Sequence, residues 1–457
     1  MATLATATRS KSRRRSELGL MVIAVLVVVF AYLLESLAVN NKVPSDLGAF
    51  VVAAVAIVVV CNLANRRLAP NADPVLIPVV LLLNGLGFVM LSRLAPFVSG
   101  GHHLVAYQAI WTVIGITAYV VTLAVIRRSR DLERYRYLTL FAAIGLLVLP
   151  LLPHLGDSTN NTNGVRLWVA LGPITFQPVE ISKLLLVIFF ASYFVEKQEL
   201  LSMSTHRVGN RLVPDLRPFG PVAFAWLCSV AVILLERDIG FSLLLFFMFL
   251  AMLWVATGRW TYLVLGVIAF VLGTYCAALL LHQVSTRIDV WLNPWKDVLG
   301  SGYQPVMGEL GLARGGISGT GLGLGVPFII PVSTSDFIFA AFGEELGLIG
   351  ATAIVVGFVI ITGAGLRASL RARSEFSKLA ALGFTVTVGF QAFFIMAGVA
   401  RLLPLTGVTL PFVSYGGSSL IANYILVALL MRVSDEGSRA LPGHSGAVPL
   451  GAALAGT

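Results

Sequence analysis

The sequence predicts an all-α, polytopic integral membrane protein: a helical bundle of about twelve transmembrane helices with one large extracytoplasmic loop. Three observations predict it. The chain is 57% hydrophobic and only 12% charged, with a mean hydropathy of +0.90, whereas a soluble domain carries about 25% charged residues. Apolar segments of roughly 20 residues, enough to cross a bilayer, recur along the chain. Lys and Arg cluster between these segments, so the net charge of +10 reads as a topology signal and not as a nucleic-acid footprint.

The spans fall near 18–39, 46–64, 74–91, 104–126, 137–153, 178–196, 218–236, 239–257, 261–283, 340–366, 378–399 and 411–433. The first follows the basic stretch Arg9 to Arg15, and its apolar run of about 22 residues is too long for a signal-peptide core, so it reads as a retained span. The connection between 236 and 239 is very short. Basic segments stand at Arg9–Arg15, Arg66 and Arg67, Arg127–Arg136, Lys197–Arg217 and Arg367–Lys378. With a cytoplasmic N-terminus all of them face the cytoplasm, and 154–177, 284–336 and 400–410 face outward. The organisation is then a basic cytoplasmic tail (1–17), a transmembrane domain (18–435) containing the outward loop 284–336, and a cytoplasmic Gly/Ala-rich tail (436–457) expected to be disordered.

Cys61, Cys228 and Cys276 lie in apolar runs without metal or redox spacing and read as packing residues. The six His are scattered apart from His102 and His103. Nucleotide substrates are absent outside the cell. An enzyme at that face needs a substrate carrying its own activation, such as a lipid-linked pyrophosphate sugar.

Four stretches could carry chemistry. The longest polar interruption holds Trp291 to Gln304, with one carboxylate (Asp297), one ammonium (Lys296), three aromatic rings (Trp291, Trp295, Tyr303) and the turn formers Pro294, Gly300 and Gly302. Asn163 to Lys183 enters a helix through Pro173 and Pro178, with Glu180 and Lys183 three apart on one face. That pair is either an internal ion pair fixing helix packing or a polar site in a cavity. Glu236 to Gly240 is a charged turn, read either as solvated or as part of a cavity. The glycines between Gly311 and Gly325 mimic a nucleotide fingerprint but lack its strand and helix context; they read as permitting close backbone approach or presenting N–H groups to an anion. Asp336, Glu344 and Glu345 follow. Pro411 to Ser419 offers small residues for close helix approach, or hydroxyls for a lipid headgroup, with Arg401 nearby for a phosphate.

Together these stretches resemble the SEDS family of peptidoglycan polymerases, the family of RodA, FtsW and SpoVE. The resemblance rests on Gly164 to Arg166 through Gln177 to Glu180 with Lys183, Asp238 to Gly240, Asn293 to Asp297 with Gly302 to Gln304, Phe342 to Glu345, and Pro411 to Ser419, in the family's order over roughly 140–433. Val179, Arg237 and Val298 depart from the family's usual Ser, Pro and Pro; none removes a charged group. The family core has ten spans, so two more stand at the N-terminus here, a pattern similar to actinobacterial members.

The resemblance implies polymerisation of lipid II, a disaccharide-pentapeptide on undecaprenyl pyrophosphate, during cell elongation and shape maintenance. It carries the loop carboxylate over to Asp297, which would take the proton of the acceptor GlcNAc 4-hydroxyl. The pyrophosphate leaving group needs positive charge or a divalent cation; Arg166, Lys183, Lys296 and Arg401 are candidates. Glu180, Asp238, Gln304 and Ser414 are further candidate substrate-binding residues. The implied partners are a class B penicillin-binding protein, which supplies the transpeptidase, the elongation or division machinery, and membrane lipids, with no nucleic acid. The alternatives are a lipid II flippase, a division polymerase of the FtsW type, or a non-catalytic scaffold. A flippase would concentrate its polar groups near the midplane, whereas these cluster at the outer edge.

Overall fold

The computed structural model describes residues 2–98, 101–152, 168–171, 174–202, 206–208, 211–213, 226–227, 231 and 238–439. Ten helical segments among them are long and apolar enough to cross a membrane. The chain is a multi-pass membrane protein. In order, the α-helices are α1 (Ala2–Asn40), α2 (Leu47–Leu68), α3 (Leu76–Leu94), α4 (Leu104–Val125), α5 (Arg136–Val148), α6 (Val179–Ser202), α7 (Ile239–Thr257), α8 (Trp260–Leu280), α9 (His282–Leu292), α10 (Tyr303–Gly315), α11 (Ile338–Leu370), α12 (Glu375–Val399) and α13 (Gly417–Ser438). Two short antiparallel hairpins, β1 (Val169–Leu171) with β2 (Ile174–Phe176) and β3 (His206–Val208) with β4 (Arg211–Val213), join helices.

Three differences from the expected spans have local causes, and one expected span falls almost wholly outside the described residues. The basic stretch expected as a tail continues as the first turns of α1, where Arg14 and Glu17 are buried 2.5 Å apart. Asn65 of α2 donates to Glu17 at 2.8 Å and Tyr119 of α4 donates to Asn65 at 2.5 Å, so a polar network partners the buried Glu17 carboxylate. Helix α6 carries Glu180 and Lys183 at one end and Glu196 and Lys197 at the other, and this charge sets it apart from the ten spans, each of which has a long window with at most two charged residues. The span expected near 218–236 lies almost wholly outside the described residues. The chain turns at Leu281, so the stretch expected as loop 284–336 is largely helical, holding α9 and α10.

The core lies where α6, α7, α12 and α13 pack together, around Phe190, Phe194, Met248, Val388, Tyr424 and Leu430. Helix α8 stands at the periphery, with Tyr262 its one buried residue among those described. Its exposed face is mostly apolar, including Val264, Leu265, Ile268, Val271, Leu272 and Leu279, which is stable against lipid and not against water.

Helix α11 is broken at Gly347, where φ is 64° and ψ is −165°. A break in a buried stretch of helix strands backbone N–H and C=O groups, each costly without a partner. The glycine-rich segment supplies them. Thr320 and Gly321 donate their N–H groups to the carbonyls of Glu344 and Glu345, both at 3.0 Å, and Leu348 donates to Gly316 at 2.9 Å. Side chains lock the arrangement. Arg93 of α3 pairs with Glu345 at 3.2 Å, Gly323 N–H donates to Glu345 at 3.0 Å, and Glu344 accepts from Arg314 at 3.2 Å and from Val326 N–H at 2.9 Å. Close backbone approach is thus the role these glycines fill.

This packing separates two glycines. Gly316 (φ 53°) has open space where a Cβ would stand, but at Gly319 (φ 85°) a Cβ would lie 2.2 Å from the Glu345 carbonyl oxygen. Gly316→Ala is expected to cost about 1–3 kcal/mol of backbone strain, and Gly319→Ala that plus displacement of the loop. Thermal unfolding in detergent at one scan rate checks this; equal midpoints for the two variants would show that the loop does not depend on close contact.

Candidate active site

The site assembles at the end of the bundle where α7 and α11 begin. Asp238 stands before α7 because a carboxylate there satisfies a free helix N–H; its Oδ1 accepts from Phe241 N–H at 3.0 Å. Burial is the main cause of its raised pKa, about 6, and Arg287 acts in the opposite direction. Helix α9 turns Gln283, Thr286, Arg287, Val290 and Trp291 toward one cavity, the 3.6-residue repeat of a helix face. Trp291 Nε1 donates to the Arg401 carbonyl at 3.1 Å, and Arg287 donates to the carbonyls of Leu405 and Thr406, both at 3.1 Å. These bonds hold segment 400–409 against α9. Burial lowers the Arg287 pKa, and Asp238 and Asp336 counter that effect. Asp336, just before α11, is raised to about 6, again chiefly by burial.

The cavity has a volume of about 1350 Å³. Its walls include Trp111, Gln177, Asp238, Ser301, Gln304 and Arg401. On one side it meets Tyr107 and Ile110 of α4, which are 46% and 51% exposed on the outer face of the bundle. The space therefore joins a polar interior to an apolar outer surface, the shape an amphiphile with a polar head requires.

Asp297 closes a short 3₁₀ turn, Pro294–Asp297, on the exposed rim. Its Oδ2 accepts from Ser301 N–H at 2.8 Å and from Ser301 Oγ at 3.1 Å. The Ser301 N–H, with the hydroxyl after it, holds the carboxyl below its usual range and hence ionised at neutral pH. Gly300 and Gly302 permit this tight turn, since a Cβ on either would strike Asp297 Oδ2 at 2.3 Å or the Pro294 carbonyl at 2.0 Å. Asp297 is not itself part of the cavity wall; Ser301, its hydrogen-bond partner, is.

A family model of FtsW, RodA and SpoVE, cell cycle proteins, matches residues 74–439. The chain belongs to this family. It is 40% identical over 434 residues to the peptidoglycan glycosyltransferase RodA of Mycobacterium tuberculosis, covering 94% of this chain and 92% of that one. It is 30% identical over 380 residues to a probable peptidoglycan glycosyltransferase FtsW of Geobacter metallireducens, covering 81% and 97%. Among solved structures it resembles a chain of a peptidoglycan synthase complex, with a TM-score of 0.65, 27% identity, and coverage of 81% and 99%. The rod shape determining protein RodA of Thermus thermophilus shares the fold, with a TM-score of 0.56 and 24% identity over 81% of this chain and 98% of that one. Helices α1 and α2 precede the region that the FtsW/RodA/SpoVE model matches.

The structure sorts the residues expected from sequence. Asp238, Gln304 and Arg401 line the cavity together, and Arg401 is paired with Glu309 at 2.8 Å. Lys296 is exposed on the turn beside Asp297, away from the described wall. Ser414 is buried behind the wall, donating to the Ser335 carbonyl at 2.6 Å and accepting from Leu410 N–H at 2.9 Å, so it places the residue next to Asp336. Arg166 lies outside the described residues. Among the described residues no group of three His, Cys, Asp or Glu is arranged to hold a metal ion.

Glu180 and Lys183 form a buried ion pair at 2.5 Å. Lys183 also donates to Gln391 at 2.7 Å, and Gln391 donates to the carbonyl of Thr409 in the cavity wall at 2.9 Å. The pair thus supports the wall from one layer below. Arg287 escaped sequence reasoning because it precedes the conspicuous Trp291 loop and looks like an ordinary residue after a span. The four-residue spacing to Trp291 on an amphipathic stretch was the available signal.

Removing one member of the buried pair leaves an uncompensated charge, at about 3–5 kcal/mol. Lys183→Met is expected to lower the unfolding midpoint in detergent more than Glu180→Gln/Lys183→Met does. Identical losses in the single and double variants would show that the two charges do not depend on each other.

Proposed function

We propose that this protein is a peptidoglycan glycosyltransferase that polymerises lipid II into glycan at the outer face of the cytoplasmic membrane. The observation that carries this reading is an ionised carboxylate, Asp297, bonded to a residue in the wall of a cavity that joins polar groups to the lipid-facing surface. An undecaprenyl-linked saccharide has that same division, and the names of the mycobacterial and Geobacter relatives agree with it. The higher identity to RodA supports an elongation role over a division role.

In this reading the acceptor GlcNAc O4 approaches Asp297 and displaces Ser301 from the carboxylate. The loss of that donor raises the basicity of Asp297, which accepts the hydroxyl proton as O4 bonds to the donor anomeric carbon. The bond from that carbon to the pyrophosphate breaks, and undecaprenyl pyrophosphate leaves with the electron pair. Direct displacement inverts the donor centre, so an α-linked donor becomes a β-linked glycan. Asp297 returns its proton to water.

The proposed orientation puts both termini in the cytoplasm and residues 284–336 outside, following the distribution of Arg and Lys. The proposed partner is a class B penicillin-binding protein of the elongation machinery, which would crosslink the product. Arg166, Lys183, Lys296, Arg401 or a divalent cation remain candidates for charge near the leaving group; Lys183 is committed to Glu180 and Arg401 to Glu309.

Asp297→Asn preserves size and hydrogen bonding but cannot take a proton at neutral pH. Its glycan synthesis from lipid II by purified protein is expected to fall about 10²–10⁴-fold with folding unchanged. Near-normal synthesis would remove Asp297 from the chemistry. For orientation, a Cys at position 301 in a variant lacking Cys61, Cys228 and Cys276 is expected to react with an impermeant thiol reagent in intact cells, and a Cys at 374 is expected to be protected. The reverse labelling pattern would overturn the topology and the proposed site of reaction with it.

A further inference from the structure

Arg287 and Asp336 face each other in the cavity without pairing. Both approach Gly407, whose φ is 74°: a Cβ there would lie 3.8 Å from Arg287 Nη2 and 3.8 Å from Asp336 Oδ2. Yet their nearest N and O atoms are beyond the 4.0 Å of an ion pair. Arg287 is held back by its two bonds to the carbonyls of Leu405 and Thr406, which use Nη1 and leave Nη2 turned to the gap. Asp336 is held at the entrance to α11 by the neighbouring bonds of Ser414 to Ser335 and of Tyr415 N–H to the Thr334 carbonyl at 2.9 Å. A donor and an acceptor thus both border the position of Gly407, where a positive φ favours glycine.

A phosphate does not suit this place. Asp238 and Asp336 both lie near the single guanidinium, so the local charge is not positive. The group that fits must accept from Arg287 and donate to Asp336. A secondary amide does both, with its carbonyl and its N–H on opposite edges. Trp291, one turn from Arg287 on the same face of α9, supplies an apolar wall for the attached methyl or sugar ring.

We propose that Arg287 and Asp336 form a clamp for the 2-acetamido group of an N-acetylated hexosamine, and so select the sugar that enters the cavity. This rests on the function proposed above for the same cavity. It makes the two residues specificity determinants: they bind the amide and take no part in moving the proton.

The test uses full-length protein in nanodiscs with three probes: lipid II, lipid II with the GlcNAc acetamido group replaced by hydroxyl, and lipid II with the MurNAc group so replaced. Binding is followed by tryptophan fluorescence and glycan synthesis is measured in parallel. The wild type is expected to bind one of the two hydroxyl probes about 10- to 100-fold more weakly than lipid II, the value of charge-assisted hydrogen bonds, and that probe identifies the sugar held. In Arg287→Met and in Asp336→Ala this ratio is expected to fall toward one, with affinity for the weaker probe nearly unchanged. A merely structural role would weaken all three probes alike, and that result would overturn the clamp, as would equal wild-type affinity for all three. Should one variant fail to fold, as judged by gel filtration, the ratio in the other decides. Selective binding without glycan synthesis would sink the proposed reaction and leave the clamp standing; synthesis with unchanged ratios in the variants would do the opposite.

Discussion

The break in α11 at Gly347 is the constraint on which the active end of the molecule depends. A helix interrupted at a buried residue must find partners for its freed backbone groups, because no water reaches them. The chain finds them in its own segment 316–321, and Glu344 and Glu345 then tie that segment to α3, to Arg314 and to Val326. This fixes the path of the chain from α10 to the start of α11. Asp336 and Ser335 sit at the end of that path, so the cavity wall inherits its position from a backbone repair one layer away.

A second set of bonds brings the other walls to the same place. Trp291 and Arg287 grip segment 400–409 from α9, while Arg401 in that segment reaches Glu309 of α10. Lys183 and Gln391 support Thr409 from below. Helices α6, α9, α10 and α12 and segment 400–409 thus share one frame, through bonds from Arg287, Trp291 and Gln391 to backbone carbonyls and side-chain bonds of Arg401 and Lys183. Such bonds are strong where water is scarce and costly to leave unmade, which suits a site that must hold its shape beside lipid.

Asp297 contrasts with that frame. It stands on the rim, exposed, with only its own turn to hold it. Asp238 and Asp336 have raised pKa values near 6 through burial, whereas Asp297 is lowered by the Ser301 N–H. One end of the molecule therefore carries carboxylates of two kinds: buried ones in the cavity wall, of which Asp238 caps α7, and an exposed one held in its ionised form. Environment, and not residue type, assigns those parts.

Much of this was legible in the chain itself. Hydropathy marks about twelve spans because a bilayer demands long apolar runs, and ten of them coincide with helices long and apolar enough to cross a membrane, although Pro411 to Gly416 turns before α13 begins. The Glu180–Lys183 spacing announced a shared helix face, and the order of the motifs pointed to the family later matched over 74–439. These signals are local, or are repeated along the chain, so one sequence suffices to read them. Only the tertiary structure decided that Ser414 is a support and not a wall, that Arg401 is neutralised by Glu309, that the glycines mend a broken helix, and that Arg287 confronts Asp336 across Gly407. Each of those facts depends on which residues distant in sequence meet in space. No periodicity records such a meeting, because it is set by packing and by the search of buried polar groups for partners.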